Sequence, residues 1–267
     1  MKICFSTLGC PEWDWKEICT VAKDLSYDGI EVRGVLNETF VPFISEFAPA
    51  NIAKTKAELK RLNLEVPMLT SGCLLSDKIR KEETLTEGKA YIDTAAALGT
   101  PYVRMLADEN PAPSTQVDIP FVKEQAQKLC TYAAEKGVTV LLETNGVFAD
   151  SEKLLKLITS LKGGSVGVVW DIHHPYRHLK EPVKVTYKTL APYIKHVHIK
   201  DSVVLDHKVC YKRIGEGDMP VAECISLLKK GGYEGYLSLE WVRRWEPSLE
   251  SAGLVFDNYI NAVKGMI

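Results

Sequence analysis

The sequence predicts one α/β domain over residues 1–267, a single (β/α)8 TIM barrel, and three observations predict it. Eight short apolar runs recur along the chain, rich in Val and Ile as parallel strands buried on both faces are. The segments between them carry apolar residues at helical spacing. Eight such units in 267 residues come to about 33 residues each, which matches the roughly 250 residues of a closed barrel. An open doubly wound sheet is the competing architecture, but no GxGxxG fingerprint follows the first run.

In chain order the predicted strands cover 3–5, 29–32, 66–69, 102–106, 138–142, 166–170, 194–199 and 236–239. The first is followed by Trp15, Ile18, Cys19, Ala22 and Leu25 on one helical face, introduced by Asp14 with Glu17 three residues later as a capping pair. After the fourth, the Pro- and Asn-bearing stretch 108–120 reads as a long βα loop rather than a domain boundary. It leads into a helix with Val122, Ala126, Leu129, Cys130 and Ala133 on its buried face. A later helix keeps Val221, Cys224, Ile225 and Leu228 together, and Gly99, Gly137 and Gly232 supply left-handed helix ends before the next strands.

With 46% hydrophobic and 25% charged residues the chain can bury a sizeable core. Its net charge of −2 gives no electrostatic excess to hold a nucleic-acid backbone or an anionic membrane. The seven cysteines are odd in number and contain no CxxC pair, which argues against a disulfide framework and a thiolate zinc site and fits a cytoplasmic protein. No apolar run reaches the roughly 20 residues of a membrane span, and Met1 to Ser6 reads as strand rather than signal peptide. Assembly into a homo-oligomer is compatible with this composition.

A (β/α)8 barrel exposes its working groups where strands end, because its interior is filled. Strand 5 ends at Glu143 and strand 6 at Asp171, which is followed by His173 and His174. Strand 7 carries His196 and His198 and then Lys200, and strand 8 ends at Glu240. Four successive strands thus bring a Glu, an Asp, a His and a Glu to one rim, where like charges repel unless a cation lies among them. An oxygen-rich donor set of this kind points to one divalent metal ion, Mn2+ first, with Mg2+, Co2+ or Zn2+ as alternatives. His196, on a strand that alternates faces, is expected to be a hydrogen-bonded core residue. Lys200, Arg104 and Arg33 are cations placed to orient an oxyanion. Arg213, beside the Gly215-Glu216-Gly217 loop after strand 7, lies where barrels often bind phosphate. Trp13, Trp170 and Trp241 either wall a pocket or pack in the core.

The segments Leu142-Glu143, Trp170-Asp171-Ile172-His173-His174, His196-Val197-His198-Ile199-Lys200-Asp201, Gly215-Glu216-Gly217-Asp218 and Leu239-Glu240-Trp241 resemble the xylose-isomerase-like sugar phosphate isomerase and epimerase superfamily over nearly the whole chain. The resemblance implies Glu143, Asp171, His198 and Glu240 as ligands of one divalent ion and His174 as a substrate contact. Apurinic-site endonucleases of the same superfamily carry further histidines on early strands. Here all six histidines lie in the later half, and strands 3 and 4 offer Thr70, Ser71 and Arg104, so no nucleic-acid partner is expected.

The chemistry expected of such a site is proton transfer next to a carbonyl of a small carbohydrate through an ene-diolate, with Glu143 and Glu240 as the catalytic base and acid. Proton return from the opposite face gives epimerisation, and return to the neighbouring carbon gives isomerisation. A dehydratase of a cyclic polyol ketone is the alternative reaction, and a non-catalytic sugar-binding barrel the alternative class.

Overall fold

The computed structural model of the chain describes residues 1–114 and 116–267. Its strands are β1 (Lys2–Ser6), β2 (Gly29–Glu31), β3 (Met68–Leu74), β4 (Tyr102–Leu106), β5 (Thr139–Glu143), β6 (Val166–Asp171), β7 (Ile194–Ile199), β8 (Asp201–Leu205), β9 (Lys208–Lys212) and β10 (Tyr236–Leu239). Eight of them form one parallel sheet in the order β2-β1-β10-β7-β6-β5-β4-β3. Its two edges meet: Gly29 bridges to Glu65 and Val32 to Leu69, and the Thr70 N–H donates to the Val32 carbonyl at 2.8 Å. The sheet is therefore the expected barrel, and no barrel strand presents a free edge to a neighbouring molecule.

Helices α1 (Trp15–Asp24), α2 (Ile52–Leu62), α3 (Lys81–Leu98), α4 (Ile119–Glu135), α5 (Ser151–Ser160), α6 (His173–Leu179), α7 (Val183–Leu190), α8 (Val221–Lys230) and α9 (Ala252–Lys264) connect the strands or follow the last one. The predicted faces are the buried ones: Ile18, Cys19 and Ala22 in α1, Leu129 and Cys130 in α4, Cys224 and Leu228 in α8. Asp14 caps α1 by accepting the Glu17 N–H at 2.8 Å. Gly99, Gly137 and Gly232 all have positive φ, as helix ends of this type require. The long loop before α4 is present; its residue 115 lies outside the described residues.

The barrel interior is layered by the period of two along each strand. Met68, Leu141 and Val169 form a small inner cluster of their own, with Tyr102 packed against it. Two residues further along the same strands come Thr70, Arg104, Glu143 and Asp171, so the apolar plug gives way to a polar, ionic layer at the C-terminal end.

Two features depart from expectation. β3 runs on to Leu74 past a register shift after Thr70. The connection after β7 contains an antiparallel hairpin, β8–β9, turned by Asp206 and His207 at φ 47° and 63°. Its turn lacks the Asn-Gly or Asp-Gly signal, and the exposed Val204 and Leu205 carry no buried alternation to read. Asp201 ties this excursion to the barrel. Its Oδ1 accepts the N–H groups of Ser202 (2.8 Å) and Met219 (3.1 Å), and its Oδ2 those of Gly215 (2.9 Å) and Gly217 (3.1 Å). A Cβ on Gly217 would fall 2.0 Å from Asp201 Oδ1, so only glycine fits. Asp201→Ala is expected to cost at least about 2 kcal/mol in denaturant unfolding, because the buried amides of Ser202 and Met219 and the amides of Gly215 and Gly217 lose a charged acceptor. A loss within about 0.5 kcal/mol would contradict this role.

Candidate active site

β5, β6, β7 and β10 deliver Glu143, Asp171, His198 and Glu240 to one point at the C-terminal mouth. One ligand-type atom from each lies within 4.8 Å of all the others. All four are buried, and they adjoin a cavity of about 490 Å³ lined by Arg104, Glu143, His174, Lys200 and Glu240 together with Tyr211 and Trp245. A larger cavity, about 570 Å³, opens at the other end of the barrel around Lys2, Glu65 and Tyr236. No cluster of ligand-type side chains adjoins it among the described residues.

Two cations are built into the cluster. Arg104 Nε lies 2.7 Å from Glu143 Oε2, and Lys200 Nζ lies 2.5 Å from both Asp171 Oδ2 and Glu240 Oε2. Three carboxylates thus face two fixed positive charges. The contacts of Glu143 Oε2 and Asp171 Oδ2 are close in distance but off the hydrogen-bond direction, so both buried oxygens lack an aligned donor. His198 Nδ1 looks at acceptors alone, Glu143 Oε1 at 3.2 Å, Glu240 Oε1 at 3.4 Å and Asp171 Oδ2 at 3.9 Å. Orphaned oxygens, a surplus of negative charge and a nitrogen aimed among carboxylates are the donor chemistry of a hard divalent cation, and the residues fit one.

The surrounding charges set the protonation states. Burial opposes ionisation of Glu143, yet the Arg104 guanidinium and the His198 ring hold its carboxyl well below the usual range. Asp171 is pushed up, by burial first and by the Glu143 charge, against the pull of Lys200. Burial disfavours the charged forms of His198 and Lys200, but the carboxylates around each outweigh it and raise both. His174 is pulled down to about 3, by burial and then by Lys200. Its Nδ1–H donates to the Thr144 carbonyl at 3.1 Å, which leaves a bare Nε2 toward the Lys200 ammonium at 3.3 Å. His174 is therefore a neutral imidazole in the cavity wall. Its neighbour His173 points away, with Nε2 at 3.0 Å from Ser202 Oγ in the hairpin.

Not every expected residue reaches the site. Arg213 pairs with Glu216 and Glu250 and does not line the cavity, because Asp201 folds its loop back against the barrel. Trp170 is fully buried in the core, Trp241 donates its Nε1–H to the Glu250 carbonyl, and Trp13 packs edge-on against Phe256. The indole that does line the cavity is Trp245, with the Arg33 guanidinium 5.4 Å from its ring centroid. Ser71 and Arg104 bind each other, Ser71 Oγ–H to the Arg104 carbonyl at 2.7 Å and Arg104 Nη1–H to the Ser71 carbonyl at 3.0 Å. His196 is the buried, hydrogen-bonded core residue expected, and its partner is Glu31, which no motif in the sequence marks as a site residue. The one available signal for Glu31 was a lone carboxylate inside the buried run Gly29-Ile30-Glu31-Val32.

The profile of the xylose isomerase-like TIM barrel family matches residues 19–256. The chain belongs to that family. Among relatives, the fructoselysine 3-epimerase of Shigella flexneri is 26% identical over 244 residues, covering 85% of this chain and 86% of that protein. Among solved structures, the probable 3-DHS dehydratase AsbF from Bacillus anthracis superposes with a TM-score of 0.81 at 18% identity over 99% of both chains. The IOLI protein, solved with a bound zinc atom, gives a TM-score of 0.79 at 17% identity, covering 100% of this chain and 99% of its own.

In metal-free protein, Lys200→Met should cost about 3–5 kcal/mol in unfolding experiments, because it removes the nearest cation from two buried carboxylates, Asp171 and Glu240. Stability equal to wild type would show that the ammonium does not hold these carboxylates.

Proposed function

We propose that the protein is a divalent-metal-dependent isomerase or epimerase of a small carbohydrate, with Mn2+ as the working ion. The observation that carries this reading is the meeting of Glu143, Asp171, His198 and Glu240 beside a cavity that also holds His174, Lys200 and Arg104. Similarity to the fructoselysine 3-epimerase over most of both chains supports the carbohydrate class. The zinc in the IOLI structure, a protein of the same fold, is in keeping with a metal-dependent reading.

Those four residues would hold the ion, which when bound supplies Lewis-acid polarisation of a carbonyl and its adjacent hydroxyl. The remaining work belongs to side chains. Glu143 and Glu240 come from separate strands onto one cavity, so one takes the proton from the carbon beside the carbonyl and the other returns it. The neutral Nε2 of His174 accepts a substrate hydroxyl, and Lys200 and Arg104 stabilise negative charge on substrate oxygen as it develops. The apolar part of the wall, Leu8, Leu106 and Val242 with Trp245, packs on the carbon skeleton.

In D2O, the manganese-loaded chain is expected to exchange a carbon-bound hydrogen of a ketose drawn from fructose, tagatose and fructoselysine. Chelation should stop the exchange and Mn2+ restore it. Wild type should carry about one ion per chain. Glu143→Gln and Glu240→Gln should bind the ion more weakly and lower exchange by at least about 100-fold, the span of general acid–base catalysis. Unchanged exchange in Glu240→Gln would contradict the acid–base assignment, and sugar binding without exchange would make the protein a silent barrel.

A further inference from the structure

Glu31 ends strand β2 outside the cavity lining and is entirely enclosed. An apolar residue would serve packing there at less cost, since a buried carboxylate must be fully hydrogen-bonded to be tolerated. It is. Oε1 accepts Thr70 Oγ1–H at 2.8 Å, and Oε2 accepts from two ring nitrogens, His196 Nε2 at 2.9 Å and His198 Nε2 at 3.1 Å. An ionised carboxylate oxygen has no proton to give, so both rings carry hydrogen on Nε2. In His198 the opposite nitrogen, Nδ1, is the one that faces Glu143, Asp171 and Glu240.

We propose that Glu31 is a positioning residue that selects the Nε2–H tautomer of His198 and thereby leaves its Nδ1 lone pair to ligate the cation. His196 and Thr70 serve Glu31 in turn. His196 has no other polar attachment, its Nδ1 being buried without a partner, so the ring acts as a prop that fixes the carboxylate oxygen shared with His198. One donor would satisfy a purely structural carboxylate oxygen; the second imidazole on it is the one that points into the ligand cluster. Carboxylate, histidine and metal then stand in line, an arrangement that orients the ring and raises its basicity as a ligand. This inference rests on the metal reading of the cluster and adds the group that prepares its single nitrogen ligand.

The test uses Zn2+, which is diamagnetic, on full-length protein. In nitrogen-15 spectra of zinc-loaded wild type, His198 should carry its proton on Nε2 and bind the ion through Nδ1. In Glu31→Gln the affinity for Zn2+ should fall about 10- to 100-fold while the metal-free chain stays folded by circular dichroism. A proton on Nδ1 of His198, or zinc on its Nε2, would overturn the proposal from wild type alone, even if Glu31→Gln failed to fold. Zinc affinity in folded Glu31→Gln within about twofold of wild type would overturn it while leaving the metal reading intact. A wild-type chain that takes up no ion would sink both.

Discussion

Three carboxylates drawn together in a space poor in water set the terms for everything at the C-terminal end of this barrel. At about 4 Å and an effective dielectric near 20, each like-charged pair opposes folding by about 4 kcal/mol. The chain meets that repulsion with Arg104 and Lys200, both buried and both aimed at the same oxygens, and with the ring of His198 between them. Buried oxygens of Glu143 and Asp171 that lack an aligned donor mark where a further positive group fits.

The fold makes this arrangement reproducible because it is built on strands rather than loops. Glu143 sits two positions beyond Leu141, Asp171 beyond Val169 and Arg104 beyond Tyr102, so packing of the apolar plug fixes this part of the polar layer above it. Around that layer a further ring of buried groups holds the first in place: Glu31 under the two histidines, Thr144 under His174, and Asp201 under the loop that follows the hairpin. These are the contacts that convert a crowded rim into a defined geometry.

Much of this was legible in the residues. Strand ends at Glu143, Asp171 and Glu240 could be read because a buried parallel strand is a continuous apolar run, and the charge that breaks it marks its C-terminal end. The helical faces of α1, α4 and α8 followed from spacing alone. What escaped lacked a local pattern. Glu31 interrupts its run one residue before Val32, so it reads as part of a strand rather than as its end. Trp245 and the β8–β9 hairpin lie on irregular or exposed backbone, where periodicity carries no information. Arg213 was misplaced for the same reason, since the path of its loop is decided by Asp201, more than ten residues away. Thr70 reads as a strand residue, but its role depends on a cross-strand bond to Glu31 that no spacing announces.

The central claim is that the four groups gather around one cation. Anomalous diffraction at the manganese edge, from crystals grown with Mn2+, tests it without reference to any substrate. The account predicts a single strong peak bonded to Glu143, Asp171, Glu240 and Nδ1 of His198. Side chains splayed apart with no peak among them, or a peak held elsewhere on the chain, would contradict it.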